Sequence, residues 1–565
     1  MKPRFTFVLA VILIVLVSTG LLNATTPGTA KNVQLVGQNS LFGRGMNAAA
    51  ANYKNFLYVG NRTDGSSRCG VGDPRRANGL DSCPHPHPGI LIVDISNPAN
   101  PAVVGEIPAP LNPAGQPVGI TSREVRVWPN KKLLITMNFR CSSALHACPR
   151  TNDTTSPFDL KFFDLSNPTN PQFMSHFVPT SRVTGALIKP HEMFLWVDPN
   201  NDNRALLFLS TPNPFVDSNP NLMVVDISQV PNGGAVTEVT EGTWNNRFPG
   251  TNQPNYPFGN GTDGCGPYDC NLFVHSMGVK PDGSVAYLAL EAGHFLVLDT
   301  SQVAAGVPNP QLTLLTDPTN RPVWLQDPLD PTAIPGVFPG GCARQGPGPF
   351  FNPSSKDCPN SHSAVQVPGR RLALTTDEVY GTFTFDNQGC RWGWARLMDV
   401  SDPTRPFITG EYTIDENNLS FCGSPADDAV TEARRSYSSH NPTLTQNLAI
   451  IDWHSGGLQI IDTSDPTHPV QAGFFVPAIP ATAPASVANE DPALSQGTDS
   501  RNNKTVFWSY PIIKDGLIYV IDIRNGLFVF QYTGPHADEV SQIHFLEGNS
   551  NLGDAVDLDQ NQNNQ

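Results

Sequence analysis

One arrangement of apolar and polar positions recurs along the chain: a short apolar, largely β-branched run, then Asp, a small turn and often two prolines. It reads GILIVDISNPANP from Gly89, DLKFFDLSNPTNP from Asp159, NLMVVDISQVPNG from Asn221, HFLVLDTSQV from His294, ARLMDVSDPTRP from Ala395 and GLQIIDTSDPTHP from Gly457. A seventh copy, GLFVFQYTG from Gly526, lacks the Asp. The run is apolar on both faces, as in a strand buried between stacked sheets. Asp and Ser side chains can cap the turn amides that follow, and Pro stops the strand. Each copy has a partner strand upstream, such as KLLITMN from Lys132, VAYLALE from Val285 or LALTTDE from Leu372. In the two tightest copies, LAIIDWHSGGLQIID and LIYVIDIRNGLFVFQY, the pair predicts a direct hairpin. Each unit has a strand before the pair and room for one after it. The expectation is an all-β, seven-bladed β-propeller of mostly four-stranded antiparallel blades over residues 32–534, its last blade closing on the first. Counts of six or eight blades stay open, because long inserts blur the first three units. Residues 535–565 read as a polar tail ending in DQNQNNQ, disordered at its end.

LIVDISNP and LQIIDTSDP closely match the strand motif of the LVIVD-repeat family, and the chain resembles that family over most of its length. The inserts around 60–90, 240–270, 320–360 and 475–505 do not follow it. The resemblance implies an exported β-propeller and says little about activity.

The N-terminus agrees with export. Lys2 and Arg4 precede an almost purely apolar run from Phe5 to Val17, and a small, polar stretch follows to Ala30. Residues 1–30 read as a secretory signal peptide; the alternative is a retained anchor over Phe5–Leu22, which would hold the protein at the cell surface. No later segment is apolar and long enough to span a bilayer, so the mature chain is expected to be secreted or extracytoplasmic. In that setting ten cysteines suggest disulfides: Cys69 with Cys83, Cys141 with Cys148, Cys265 with Cys270 and Cys342 with Cys358, leaving Cys390 and Cys422. These pairings rest on proximity and would staple the long inserts. A metal–thiolate site is the alternative, but paired CxxC spacing is missing. Sequons at Asn61, Asn152, Asn260, Asn418 and Asn503 are available to a glycosylating host. A formal charge of −15 argues against nucleic acid or an anionic membrane as partner. A protein or glycan partner outside the cell fits better.

The informative polar residues are in register. His275 and His362 each lie ten residues before the paired strand, at Val285 and Leu372; Arg123 lies ten before Leu133, with Glu124 beside it. His440 is eight before Leu448, and His191 opens its unit farther upstream. Six residues into the paired strands come Glu291, Glu378 and His454. Antiparallel strands return to the same edge, so His191, His275, His362 and His440 are expected to converge at one end with Glu291, Glu378 and His454. Asp377 and Asp452 are possible supporting partners. Imidazoles with carboxylates suit one transition-metal ion, such as Zn, Cu or Fe. The competing reading is a polar cluster that seals the channel. Arg123, whose fixed charge repels cations, and Glu124, Trp196 and Trp453 are candidates for contacting a small ligand, although the Trp residues equally suit core packing. Phosphate loops, serine elbows and HExxH are missing. A binding or scaffold protein comes first. A metal-dependent oxidoreductase or hydrolase and a carbohydrate or small-ligand-binding module are the alternatives.

Overall fold

The computed structural model describes residues 28–62, 66–68, 82–84, 87–109, 120–140, 158–211, 220–242, 274–290, 294–316, 361–378, 393–418, 421, 437–478 and 505–560. Nearly all regular structure in them is antiparallel β. The repeat does what its chemistry requires. Ile90–Val93 and Leu222–Val225 are at most 2% exposed. In six copies the closing Asp accepts a bond from the backbone N–H two residues on, at 2.7–2.9 Å: Asp94, Asp164, Asp226, Asp299, Asp399 and Asp462. The Asp therefore ends each strand by tying its own turn.

Three sheets have four strands each and follow the repeat: Met193–Val197 to Thr237–Gly242, Val274–Val279 to Thr313–Leu314, and Ser361–Gln366 to Phe407–Tyr412. The rest departs from the expected seven separate blades. The first two repeats share one eight-stranded sheet, joined where Asn61 of Phe56–Asn61 lies opposite Ser122 of Ile120–Trp128. Two sheets have five strands. One gains Thr29–Lys31 on Val470–Val476; the other gains Val33–Asn39 on Gly526–Tyr532 and Phe545–Leu546 on Ile512–Lys514. A two-stranded ribbon joins Ser66–Arg68 to Ser82–Pro84. The sheets are not closed into a radial seven-bladed propeller. The physical reason is that a strand repeat specifies each hairpin and its buried faces. It does not specify what lies beside the hairpin's edge, and Ile120–Trp128 is long enough to reach a second neighbour.

The disulfide-stapled inserts are also withdrawn: no disulfide occurs among the described residues. Cys69, Cys141, Cys148, Cys265, Cys270, Cys342, Cys358, Cys390 and Cys422 lie outside them, and only Cys83 falls in a described strand. Residues 1–27 also lie outside the described residues. No helix among the described residues is long and apolar enough to cross a membrane.

The core lies between sheets. Phe194, Leu206 and Phe208 of one sheet pack with Met277, Leu288 and Leu296 of the next. Beyond Gly534 the chain forms helices Ala537–Ser541 and Ala555–Gln560 around Phe545–Leu546. This segment ties three sheets together. Leu195 N–H donates to Asn549 O at 3.1 Å, the Asn551 amide donates to Val197 O and Pro281 O, and Asp559 accepts from the Gln366 amide. It lies against the ends of Met193–Val197, Val274–Val279 and Ser361–Gln366. The histidines sit at the opposite ends of those strands.

Candidate metal centre

Four consecutive sheets begin at His191, His275, His362 and His440, and their first strands pack side by side. A repeated hydroxyl contact fixes their backbones. Ser210 Oγ donates to His275 O at 2.7 Å, Ser276 Oγ to His362 O at 2.7 Å, and Thr376 Oγ1 to His440 O at 2.5 Å. The rings follow one another as a column. His191 Nε2 is 2.8 Å from His275 Nε2, and ring centroids are 3.8 Å apart for His275–His362 and 4.1 Å for His362–His440. Trp508 continues it, 4.1 Å from the His440 ring and parallel to the His454 ring at 5.2 Å. His191 is half-buried and the other four histidines are buried.

Glu378 is the focus. Its Oε2 lies 3.2 Å from His362 Nε2; its Oε1 lies 3.2 Å from His440 Nε2 and 3.3 Å from His454 Nε2. The protons on the far side of two of these rings are already assigned by their partners. His440 Nδ1 faces Trp508 O at 2.5 Å, a pure acceptor, so it carries the proton. His362 Nδ1 faces Ser363 Oγ at 2.9 Å, and that hydroxyl gives its own proton to Asn441 Oδ1 at 2.8 Å. The Asn441 amide donates in turn to Trp508 O at 3.1 Å. His362 Nδ1 must therefore also be the donor. Both neutral rings then present a bare Nε2 to the same carboxylate. One proton, on any of the three groups, relieves one of these contacts; a metal ion relieves both. Ligands held about 2.0–2.1 Å from a tetrahedral ion lie about 3.3 Å apart, close to each 3.2 Å separation, with the two rings facing different oxygens of the one carboxylate. Fixing Nδ1 on a carbonyl or hydroxyl is how metal-binding imidazoles are oriented.

Charge states agree. Burial, with help from neighbouring rings, depresses His362 to about 3 and His440 to about 4, with Glu378 opposing in both cases. Burial also puts His191 and His275 well below the ordinary imidazole value. Burial alone would raise Glu378; positive charge at His440 and His362 is what would hold it well below the usual carboxylate range. The buried carboxyl of Glu192 goes the other way, pushed well up by burial and by Glu124. His454 adopts φ 32°, a left-handed conformation uncommon for a residue with a Cβ and typical of strain kept at functional sites.

The expected cluster assembles in part. His191, His275, His362, His440, His454 and Glu378 come together; Glu291 lies outside the described residues. Arg123 and Glu124 are buried at the same end, 3.9 Å apart, and Arg123 lies over the Trp508 ring at 5.5 Å. Trp196 and Trp453 do not join them. Trp196 donates to Pro281 O and packs between sheets, and Trp453 donates to Tyr437 O within a cluster with Leu374 and Ile414. Asp377 pairs with Arg396, and Asp452 meets His440 through the backbone, the His440 N–H donating to Asp452 O at 2.8 Å.

Sequence reasoning missed Glu192, whose carboxylate, with His275 and His362, forms a second group of metal-competent atoms all within 4.8 Å of one another. The first such group is His362, Glu378 and His440. The signal for Glu192 was adjacency: it follows His191 as Glu124 follows Arg123. The Ser363–Asn441 pair was also missed, because its role rests on a hydroxyl and an amide that no spacing rule reveals.

Comparison with known proteins adds little. The LVIVD repeat model matches residues 87–107 and 447–475. No match is found among curated proteins. Among solved structures, a protein from Lactobacillus plantarum is 11% identical over 76% of this chain and 85% of its own, with a TM-score of 0.36. Sqt1 from Chaetomium thermophilum is 11% identical over 89% and 99%, with a TM-score of 0.40. The periplasmic gluconolactonase PpgL of Pseudomonas aeruginosa is 9% identical over 76% and 86%, with a TM-score of 0.38. Likeness at these scores carries no argument. The chain is similar to LVIVD-repeat sequences in two short stretches, and its β-rich architecture holds two buried His/Glu groups able to take a metal.

Proposed function

We propose that this chain is an exported metal-binding protein whose ion sits among His362, Glu378 and His440. The observation that carries this reading is the pair of bare Nε2 atoms turned on one carboxylate, each with its Nδ1 proton committed to a fixed acceptor. Zn, Cu and Fe all accept imidazole and carboxylate donors. His454 Nε2 lies 3.3 Å from the same Glu378 oxygen that faces His440. Export is supported by the apolar segment that opens the chain.

A metal-dependent oxidoreductase or hydrolase is the second reading, favoured by one feature. Two imidazoles and one carboxylate leave coordination positions open, as catalytic sites do and closed structural zinc sites do not. The bound ion would supply Lewis-acid or redox chemistry. The chain's own residues set the donors' tautomers, hold them in a dry pocket and leave half-buried His191 toward the outside.

The test is element analysis of untagged protein beside His362→Gln. About one Zn, Cu or Fe per wild-type chain is expected, with loss in the variant. Wild-type protein that carries no metal and takes up none of the three on incubation would refute the reading.

A further inference from the structure

The two groups of metal-competent atoms share His362. Its Nδ1 is committed to Ser363, so it offers one lone pair, at Nε2, and serves one ion at a time. We infer that the protein has a second metal seat, made by Glu192, His275 and His362, which overlaps the first and takes the same single ion in alternation with it. This rests on the proposed metal-binding reading.

The second seat is built, not incidental. Glu192 is 2% exposed, His275 3% and His362 0%. Ser210 fixes the first two together: Glu192 N–H donates to Ser210 Oγ at 2.9 Å, and that hydroxyl donates to His275 O at 2.7 Å. Ser276, the residue after His275, holds His362 O in the same way. His275 and His362 are in ring contact, with centroids 3.8 Å apart, so the two seats adjoin at His362. His191, whose Nε2 is 2.8 Å from His275 Nε2, adjoins this seat on its half-buried side. Each seat is two imidazoles and one carboxylate. An ion in either one keeps positions open for an oxygen-donor ligand, and moving from Glu378 to Glu192 brings it toward His191.

Carboxylate-to-amide changes test this without altering side-chain volume. Full-length protein stripped with a chelator is titrated with Co(II) alone and followed by visible absorption. Wild type is expected to bind one Co(II) per chain. Glu378→Gln should still bind one, on the order of 10–100-fold more weakly and with a shifted band, because the second seat remains. Glu192→Gln should stay within about threefold of wild type. The double variant should bind none in the same range. If Glu378→Gln alone abolishes binding while wild type binds, the second seat is refuted and the first stands. If the double variant binds as well as Glu378→Gln, Glu192 is not a ligand and the second seat is again refuted. Two Co(II) per wild-type chain would overturn the shared-donor argument. No uptake by wild type would remove the metal reading itself.

Discussion

Replacing Glu378 with Gln should have opposite effects on the metal-free and metal-bound protein. In the metal-free protein at pH 8 the His362 and His440 rings are neutral, because burial depresses them to about 3 and about 4. Each turns a bare nitrogen on Glu378 at 3.2 Å. A buried polar atom left without a partner costs about 1–3 kcal/mol, and a made hydrogen bond contributes about 1 kcal/mol net. A Gln amide placed on the Oε1 side donates to His440 Nε2; on the Oε2 side it donates to His362 Nε2. Either orientation relieves one contact and removes a buried charge, so the metal-free variant should be more stable by about 1–2 kcal/mol. For a chain of this size that is a rise of only about 1–2 °C in melting temperature, so denaturant titration is the better assay. The metal-bound comparison should reverse, since the variant loses an anionic donor and, with binding about 10–100-fold weaker, about 1.4–2.7 kcal/mol of ligand-induced stabilisation. A metal-free Glu378→Gln protein less stable than wild type at pH 8 would mean that protons already satisfy the cluster. His362 and His440 would then not both turn bare nitrogens on Glu378.

Three further outcomes follow from the same geometry. Ser363→Ala should weaken metal binding about 10–100-fold with the far-ultraviolet circular dichroism unchanged, because it frees the His362 tautomer; unchanged affinity would show that the Ser363–Asn441 relay does not set the donor. Metal-free protein should lose stability as pH falls from about 6.5 to about 4. The folded state resists protons at His362 and His440 that the unfolded chain accepts, so stability is fully present above the unfolded value and is lost at about 1.4 kcal/mol per pH unit for each ring. Urea titrations across that range should show His440→Gln with a clearly shallower dependence, and an equal slope would rule out the assignment. Trp453→Ala should cost about 3–5 kcal/mol of stability yet leave metal stoichiometry intact, since this side chain fills a core and touches no donor; loss of metal in a folded variant would contradict that placement.

How far the sequence carried the reading depended on the kind of interaction involved. Period and punctuation are local, so the strands, their hairpin partners and the Asp that ends each one were legible from residues such as Ile90–Asp94 and Leu458–Asp462. Edge pairing is not local. Nothing in the repeat says that Asn61 meets Ser122, or that Val33–Asn39 pairs with Gly526–Tyr532 across almost the whole chain. The count of separate blades and their closure therefore failed. The same division runs through the site. A constant offset from the paired strand brought His275, His362 and Glu378 to one edge, as alternation along antiparallel strands demands. Offsets say which residues meet and nothing about which atom of a ring faces inward.

That last distinction decides what the cluster can do. Four imidazoles in ring contact could be a sealed polar plug, and composition cannot separate a plug from a ligand set. In a plug each buried ring would donate from one nitrogen and accept at the other, because an unmet polar atom is costly in a dry interior. His362 and His440 do the first half, through Ser363 and the Trp508 carbonyl. Their second nitrogens meet an acceptor instead of a donor. Two neighbouring sheets repeat this at the same carboxylate, and Asn441 links them: its amide donates to the Trp508 carbonyl that also accepts from His440, and its oxygen accepts from Ser363, which accepts from His362. A network that fixes donor direction on one side and leaves matched lone pairs on the other is organised around a positive charge. Among the described residues the guanidiniums of Arg62 and Arg123 lie over the Trp508 ring, at 4.1 and 5.5 Å, and Arg123 pairs with Glu124. A metal ion among His362, Glu378 and His440 would match both the donors and their burial.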